Sequence, residues 1–215
     1  MKPAWSQQQN GADVKLRDSG MPDEQYWETL FDVPFALEAL GIDYRLHDVA
    51  ECGCGFGTFS IPIAQRISGR LFACDIDPSM IARTRERATA ANLTNVVLRE
   101  CDVMENGFGL PDGSVDAVLL FNILHGEFPE RLLQLATRVV RASGQVLVIH
   151  WQHDLRTPRG PDLSIRPRPE HVLAWAQATG ELCADEGVIE LPPWHYGLKF
   201  KRSRHEASGT APRAQ

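Results

Sequence analysis

The chain reads as an α/β protein built on a mostly parallel sheet, and three observations predict it. From about residue 45 to 150, short β-branched apolar runs alternate with amphipathic stretches, the pattern of successive βα units. A glycine-rich loop, Gly53-Cys54-Gly55-Phe56-Gly57, stands where the first apolar run gives way to the first helical pattern. The run Val115 to Phe121 is too uniformly apolar for a half-wet strand and suits one covered on both faces.

Taken in order, Glu24 to Leu40 has an amphipathic helical pattern, with Tyr26, Trp27, Leu30, Phe31 and Phe35 among its apolar residues. Strands are expected near 46–51, 70–75, 95–100, 115–121 and 144–150. The first crossover helix carries Phe59, Ile61, Ile63, Ala64 and Ile67, with Ser60 as N-cap and Pro62 in the first turn. Asp77-Pro78 supplies a cap and an N1 proline for the second, whose Met80, Ile81, Ala88 and Ala91 oppose Arg83, Arg85 and Arg87. Leu132, Leu133, Leu135, Ala136, Val139 and Val140 form a further helix, expected to end near Ser143-Gly144 with the glycine as left-handed cap. Trp151 to Glu170, with four prolines and four arginines, reads as a long loop before a helix at about 170–179. Val188 to Leu191 and Tyr196 to Lys201 look like a closing strand pair.

The 215 residues, 43% apolar and 23% charged, suit one domain. We expect a flexible segment at 1–20, a single domain over 21–202 whose first helix forms a lid, and a disordered tail at 203–215. A formal charge of −6 argues against a nucleic-acid partner held by broad phosphate neutralisation. No run approaches the roughly 20 apolar residues of a membrane span, and residues 1–20 lack a secretory signal pattern. The expectation is therefore a cytoplasmic protein, monomer or homodimer, without membrane or nucleic-acid partners. The five cysteines suit reduced thiols. Cys52-x-Cys54 has no second pair at metal-ligand spacing, so no metal is expected.

Four polar residues follow the strand ends: Glu51, Asp75, Asp102 and Asn122, separated by 24, 27 and 20 residues. Those intervals match successive βα units, so all four should line the carboxyl edge of one sheet, where such folds bind ligands. Each also has a plainer reading. Asp75 or Asp77 suits a cap for the helix at Pro78, Asp102 an ordinary loop acid, and Glu51 a strand-end acceptor for backbone amides. As a dinucleotide fingerprint the loop is imperfect, because threonine (Thr58) stands where the third glycine belongs.

Residues 45–152 resemble the core of class I S-adenosylmethionine-dependent methyltransferases. The matching segments are Asp48 to Gly57, Ala73 to Met80, Glu100 to Val103 and Asp116 to Asn122. The resemblance implies a three-layer Rossmann-like sheet of seven strands, the last antiparallel, and the broad group related to quinone-biosynthesis methyltransferases. It implies that Gly53, Cys54, Gly55 and Gly57 approach the cofactor and that Glu51 helps hold its methionine part. Asp75, with Ile76 beside it, would accept both ribose hydroxyls, and Asp102 with Val103 would meet the adenine. Phe121 and Asn122 would border the methionine ammonium. The substrate would be a small-molecule methyl acceptor; the arginines of the 151–170 loop suit an anionic one, and a solvated surface loop is the other reading. His125 and His153 are the candidate bases, the first just after the fourth strand and the second after the fifth. Two alternatives are carried alongside: a nicotinamide-dependent oxidoreductase, and a non-catalytic nucleoside-binding protein.

Overall fold

The computed structural model describes residues 22–203; the segment 1–20 and the tail beyond Ser203, expected to be flexible, lie outside the described residues. Five strands run parallel: β1 (Val49–Cys52), β2 (Leu71–Asp75), β3 (Val96–Glu100), β4 (Val115–Phe121) and β5 (Val140–Trp151). Against β5 lies β8 (His195–Arg202), antiparallel to it. Both β6 (Leu182–Ala184) and β7 (Ile189–Leu191) pair with β8. The order is β3-β2-β1-β4-β5-β8-β6. Because β5 occupies one edge of β8 throughout, β6 and β7 share the other, and eight strands fill the seven expected positions.

Alternation along the central strands builds the three layers. Ala50, Cys52, Val118, Leu120, Val146 and Val148 face one apolar cluster, together with α6 (Pro129–Val139) and α7 (Pro169–Ala178). Val49, Ala117, Leu119, Leu147 and Ile149 face the other, which takes in α2 (Val33–Ala39), α3 (Ser60–Ala64) and, through Ile81, α4 (Pro78–Ala90). Both faces being covered explains why β4 lacks polar alternation. Among the described residues no helix is long and apolar enough to cross a membrane.

Four local expectations are corrected. The single helix over 24–40 is two, α1 (Glu24–Glu28) and α2, because Asp32 caps a new start with its carboxylate on the Phe35 amide and Pro34 sits in the first turn. Ser60 does not cap α3; the cap position is Phe59, with no side-chain bond, and the Ser60 hydroxyl goes elsewhere. A short helix, α5 (Val103–Asn106), follows β3, capped by Asp102. Finally α6 stops at Val139 and β5 begins at once, with a register shift between Val115 and Ala117. Ser143, not Gly144, takes the positive φ of 66°. Gly144 is needed for closeness instead: a Cβ there would lie 2.7 Å from the Asp116 carbonyl oxygen.

Candidate functional site

At the carboxyl edge of β1 to β4 lies a cleft of about 260 Å³, just below the roughly 300 Å³ at which pockets for drug-sized ligands begin. Its wall contains Glu51, Gly53, Cys54, Gly55, Asp75, Ile76, Asp102, Val103, Phe121, Asn122 and His125, so these sequence candidates converge on one cavity. Two candidates are not on the wall. Gly57 lies behind it, with φ +79° and a hypothetical Cβ 3.0 Å from the Thr84 hydroxyl; it lets α4 pack close. His153 also lies off the wall, its Nδ1 buried without a hydrogen-bond partner.

The glycine loop is held from both sides. The Gly53 and Cys54 amides donate to the Cys74 carbonyl at 2.8 and 3.0 Å. From α4, the Thr84 hydroxyl donates to the Gly55 carbonyl (2.9 Å) and Arg87 Nη1 to that of Phe56 (3.2 Å). Held in this way, Gly53, Cys54 and Gly55 line the cleft. Gly53 has φ +81°, and a Cβ there would come within 3.2 Å of Ile123, so bare main chain is required at that point.

Two carboxyl groups sit beside the loop. Asp75 accepts from the Gly55 amide and the Asp77 amide, both at 2.9 Å, while burial pushes its pKa above the usual carboxylate range. Glu51 is 2% exposed and takes the Ser60 hydroxyl at 2.5 Å; burial, with the Asp75 charge adding, raises its pKa to about 7. Asp77 is the α4 cap, accepting from the Ser79 amide. Asp102 both caps α5, through the Met104 amide at 2.8 Å, and faces the cleft.

The wall also carries buried polar atoms that no group among the described residues satisfies, Thr58 Oγ1 and Asn122 Oδ1. Such orphans are rare in native interiors. Together with the two carboxyl groups and the exposed loop backbone, they fit a ligand bearing hydroxyl, amino and carboxylate groups, such as the nucleoside and amino-acid ends of S-adenosylmethionine. Sequence reasoning missed Thr58 as a site residue, although the departure it makes from the dinucleotide fingerprint was the available signal.

The same wall carries three aromatic rings and one imidazole: Trp27, Phe59, Phe121 and His125. Trp27, on α1, lines the wall and meets Phe31 edge-on at 4.9 Å and Trp151 at 6.3 Å. Phe31 continues to Phe59, and Phe59 to Phe121. Beneath them His195 packs 4.2 Å from Trp151 and is kept neutral by burial, with a pKa of about 3. Ion pairs tie α1 to α4: Glu24 with Arg83 (2.6 Å) and Arg87 (3.1 Å), and Glu28 with Arg87 (2.5 Å).

The arginine-rich loop after β5 is organised by one of its arginines. Arg166 is 8% exposed and donates to the carbonyls of Pro161, Gln152, Leu155 and Arg159 and to the Thr157 hydroxyl, with its guanidinium over the Trp151 ring. Its donors are committed to the loop, and among the described residues no lysine or arginine stands on the cleft wall.

Residues 49–144 match the family described as "Methyltransferase domain". Over 185 residues the chain is 30% identical to a phosphatidylethanolamine N-methyltransferase of Cereibacter sphaeroides, covering 79% of this chain and 87% of that protein. Among solved structures, a SAM-dependent methyltransferase from Aquifex aeolicus superposes with a TM-score of 0.73 at 22% identity, over 84% of this chain and 94% of that one. A geranyl diphosphate methyltransferase bound to SAM gives 0.65 at 13% identity, over 86% and 93%. With its glycine loop, its three strand-end acids and the matching fold, the chain belongs to the class I S-adenosylmethionine-dependent methyltransferases. S-adenosylmethionine is its cofactor, and these comparisons do not favour the oxidoreductase or the non-catalytic alternative.

Proposed function

We propose that the protein transfers the methyl group of S-adenosylmethionine to the amine nitrogen of a small molecule of the ethanolamine-headgroup type. The observation that carries this is the make-up of the cleft wall: strand-end acids, bare backbone, aromatic rings and His125, with no cationic side chain among the described residues. Aromatic faces suit ammonium and methylammonium groups, and the relative named for an amine-bearing phospholipid points the same way. The absence of a wall cation weighs against the anionic substrate suggested by the loop arginines.

In this reading Asp75 accepts the ribose hydroxyls and Asp102, with the Val103 amide, meets the adenine, Ile76 lying between. Gly53, Cys54 and Gly55 border the cofactor with main chain, and Gly57 keeps that loop against α4. Glu51, Thr58, Phe121 and Asn122 surround the methionine end. The cofactor supplies an electrophilic methyl on a sulfonium whose leaving group is a neutral thioether. The chain's part is alignment, worth roughly 7–11 kcal/mol, and proton removal: an ammonium acceptor has no lone pair until it loses a proton, which His125 takes. A carbon–nitrogen bond forms, the carbon–sulfur bond breaks, and the proton rests on the imidazole. His153, off the wall, is assigned no step.

Two measurements test this. Calorimetry with S-adenosylhomocysteine should show Asp75→Ala binding at least about tenfold more weakly than wild type, since hydrogen bonds to charged groups contribute roughly 1.5–3 kcal/mol; equal affinity removes Asp75 from the site. Methyl-labelled S-adenosylmethionine, offered with phosphatidylethanolamine vesicles or soluble phosphoethanolamine, should label the amine. Cofactor binding without label in either would overturn the amine acceptor.

A further inference from the structure

We propose that His150 is a positioning residue that holds His125 in its Nδ1–H tautomer, making Nε2 the atom that takes the proton. The inference rests on the reading of His125 as the base and names the residue that orients it. His150 lies near the end of β5 and is fully buried, one strand over from the loop that carries His125. Its Nδ1 is 3.4 Å from the Trp151 carbonyl oxygen, and its Nε2 is 3.4 Å from His125 Nδ1.

The chain of roles follows from what each atom can do. A carbonyl oxygen only accepts, so His150 Nδ1 carries a hydrogen. A ring with no solvent contact and, among the described residues, no acid beside it stays neutral, so His150 Nε2 is bare and accepts. His125 Nδ1 must then be the donor, and in a neutral imidazole that leaves Nε2 as the basic nitrogen. The other titratable or charged groups around His150 do not break this chain. His195 is a buried neutral imidazole, the Tyr196 hydroxyl donates to the Pro167 carbonyl, and the Arg166 guanidinium is bound to loop carbonyls. A histidine serving only as core filling would impose no tautomer on its neighbour. The family resemblance pointed to neither this pair nor its order.

The test is long-range proton–nitrogen NMR of the full chain with labelled histidine, with and without S-adenosylhomocysteine. Wild type should show His125 protonated at Nδ1. His150→Phe, which keeps the bulk but cannot accept, should lose that preference. His150→Gln should keep it, since its carboxamide oxygen accepts from His125 while its NH₂ donates to the Trp151 carbonyl. In the labelled-methyl assay the Phe variant should lose at least about tenfold in kcat with unchanged S-adenosylhomocysteine affinity, and the Gln variant should recover it. Protonation of His125 at Nε2 in wild type overturns the proposal, and so does a Phe variant with an unaltered tautomer. The wild-type spectrum decides even if a variant fails to fold. Because the spectrum needs no acceptor, a wrong substrate class shows in the methyl assay alone and is told apart from a wrong tautomer.

Discussion

In the proposed reading, the cofactor end and the acceptor end of the cleft are built by different rules. At the cofactor end the working groups belong to short stretches of chain, residues 51–58, 75–77 and 102–103, each at the end of one strand and fixed by bonds to its own neighbourhood. At the acceptor end, Trp27 and His125 come from α1 and the loop after β4, backed by His150, Trp151 and His195 of β5 and β8, and are held by ring packing and a folded-back loop. The first end is polar, with charge partly suppressed by burial. The second is apolar, with His150 and His195 kept neutral by burial. A methyl donor can be met by a local motif, whereas an acceptor pocket is assembled from wherever the fold brings side chains together.

If the two ends are independent in this way, damage to one should spare the other. The largest effect is expected at Arg166. Replacing it by methionine strands several loop carbonyls and should cost about 3 kcal/mol of stability, read by denaturant unfolding, while S-adenosylhomocysteine affinity in the folded protein stays within about twofold. A parallel loss of cofactor affinity would join the two ends into one unit.

Next comes Glu51, at the cofactor end, where pH provides the contrast. Its folded pKa of about 7 exceeds the unfolded 4.5, so the native state favours the protonated form; the stability this gives is present below pH 4.5 and is lost as pH rises through 7. Glu51→Gln should therefore stabilise the cofactor-free protein at pH 8 by up to about 3 kcal/mol, have little effect at pH 4.5, and weaken cofactor binding. His195 at the other end has the opposite sign. Its pKa of about 3 lies below 6.5, so its contribution is whole above pH 6.5 and falls away on acidification. Equal stability of Glu51→Gln and wild type at pH 8 would show that burial does not raise the Glu51 pKa.

The smallest effect should be at Thr84. Thr84→Val keeps the volume that Gly57 accommodates but removes the bond to the Gly55 carbonyl, which should cost about 1 kcal/mol in thermal unfolding with a few-fold loss of cofactor affinity. Stability loss without any change in affinity would mean that the loop does not depend on α4 for its shape.

Much of this contrast was readable from residues alone. The spacing of Glu51, Asp75, Asp102 and Asn122 placed them at successive strand ends, and all four meet at one cleft. Thr58 was visible only as a departure from a fingerprint, because an orphaned hydroxyl is defined by what surrounds it. The break at Asp32-Val33-Pro34 was a cap signal outweighed by the apolar periodicity around it. The early start of β5 could not be seen, since Ser143 takes a conformation usually left to glycine while Gly144 is required for close contact with the Asp116 carbonyl.

By itself the order of residues determined the parallel sheet, the bare glycine loop and the acids beside it, because strand alternation, positive φ and βα spacing are properties of neighbours along the chain. Only the tertiary structure decided that His150 bonds His125 across 25 residues, that Arg166 is spent on its own loop, and that β6 and β7 share one edge of β8. Those outcomes depend on which distant groups a closed, desolvated interior brings within hydrogen-bond reach, and no local pattern encodes that distance.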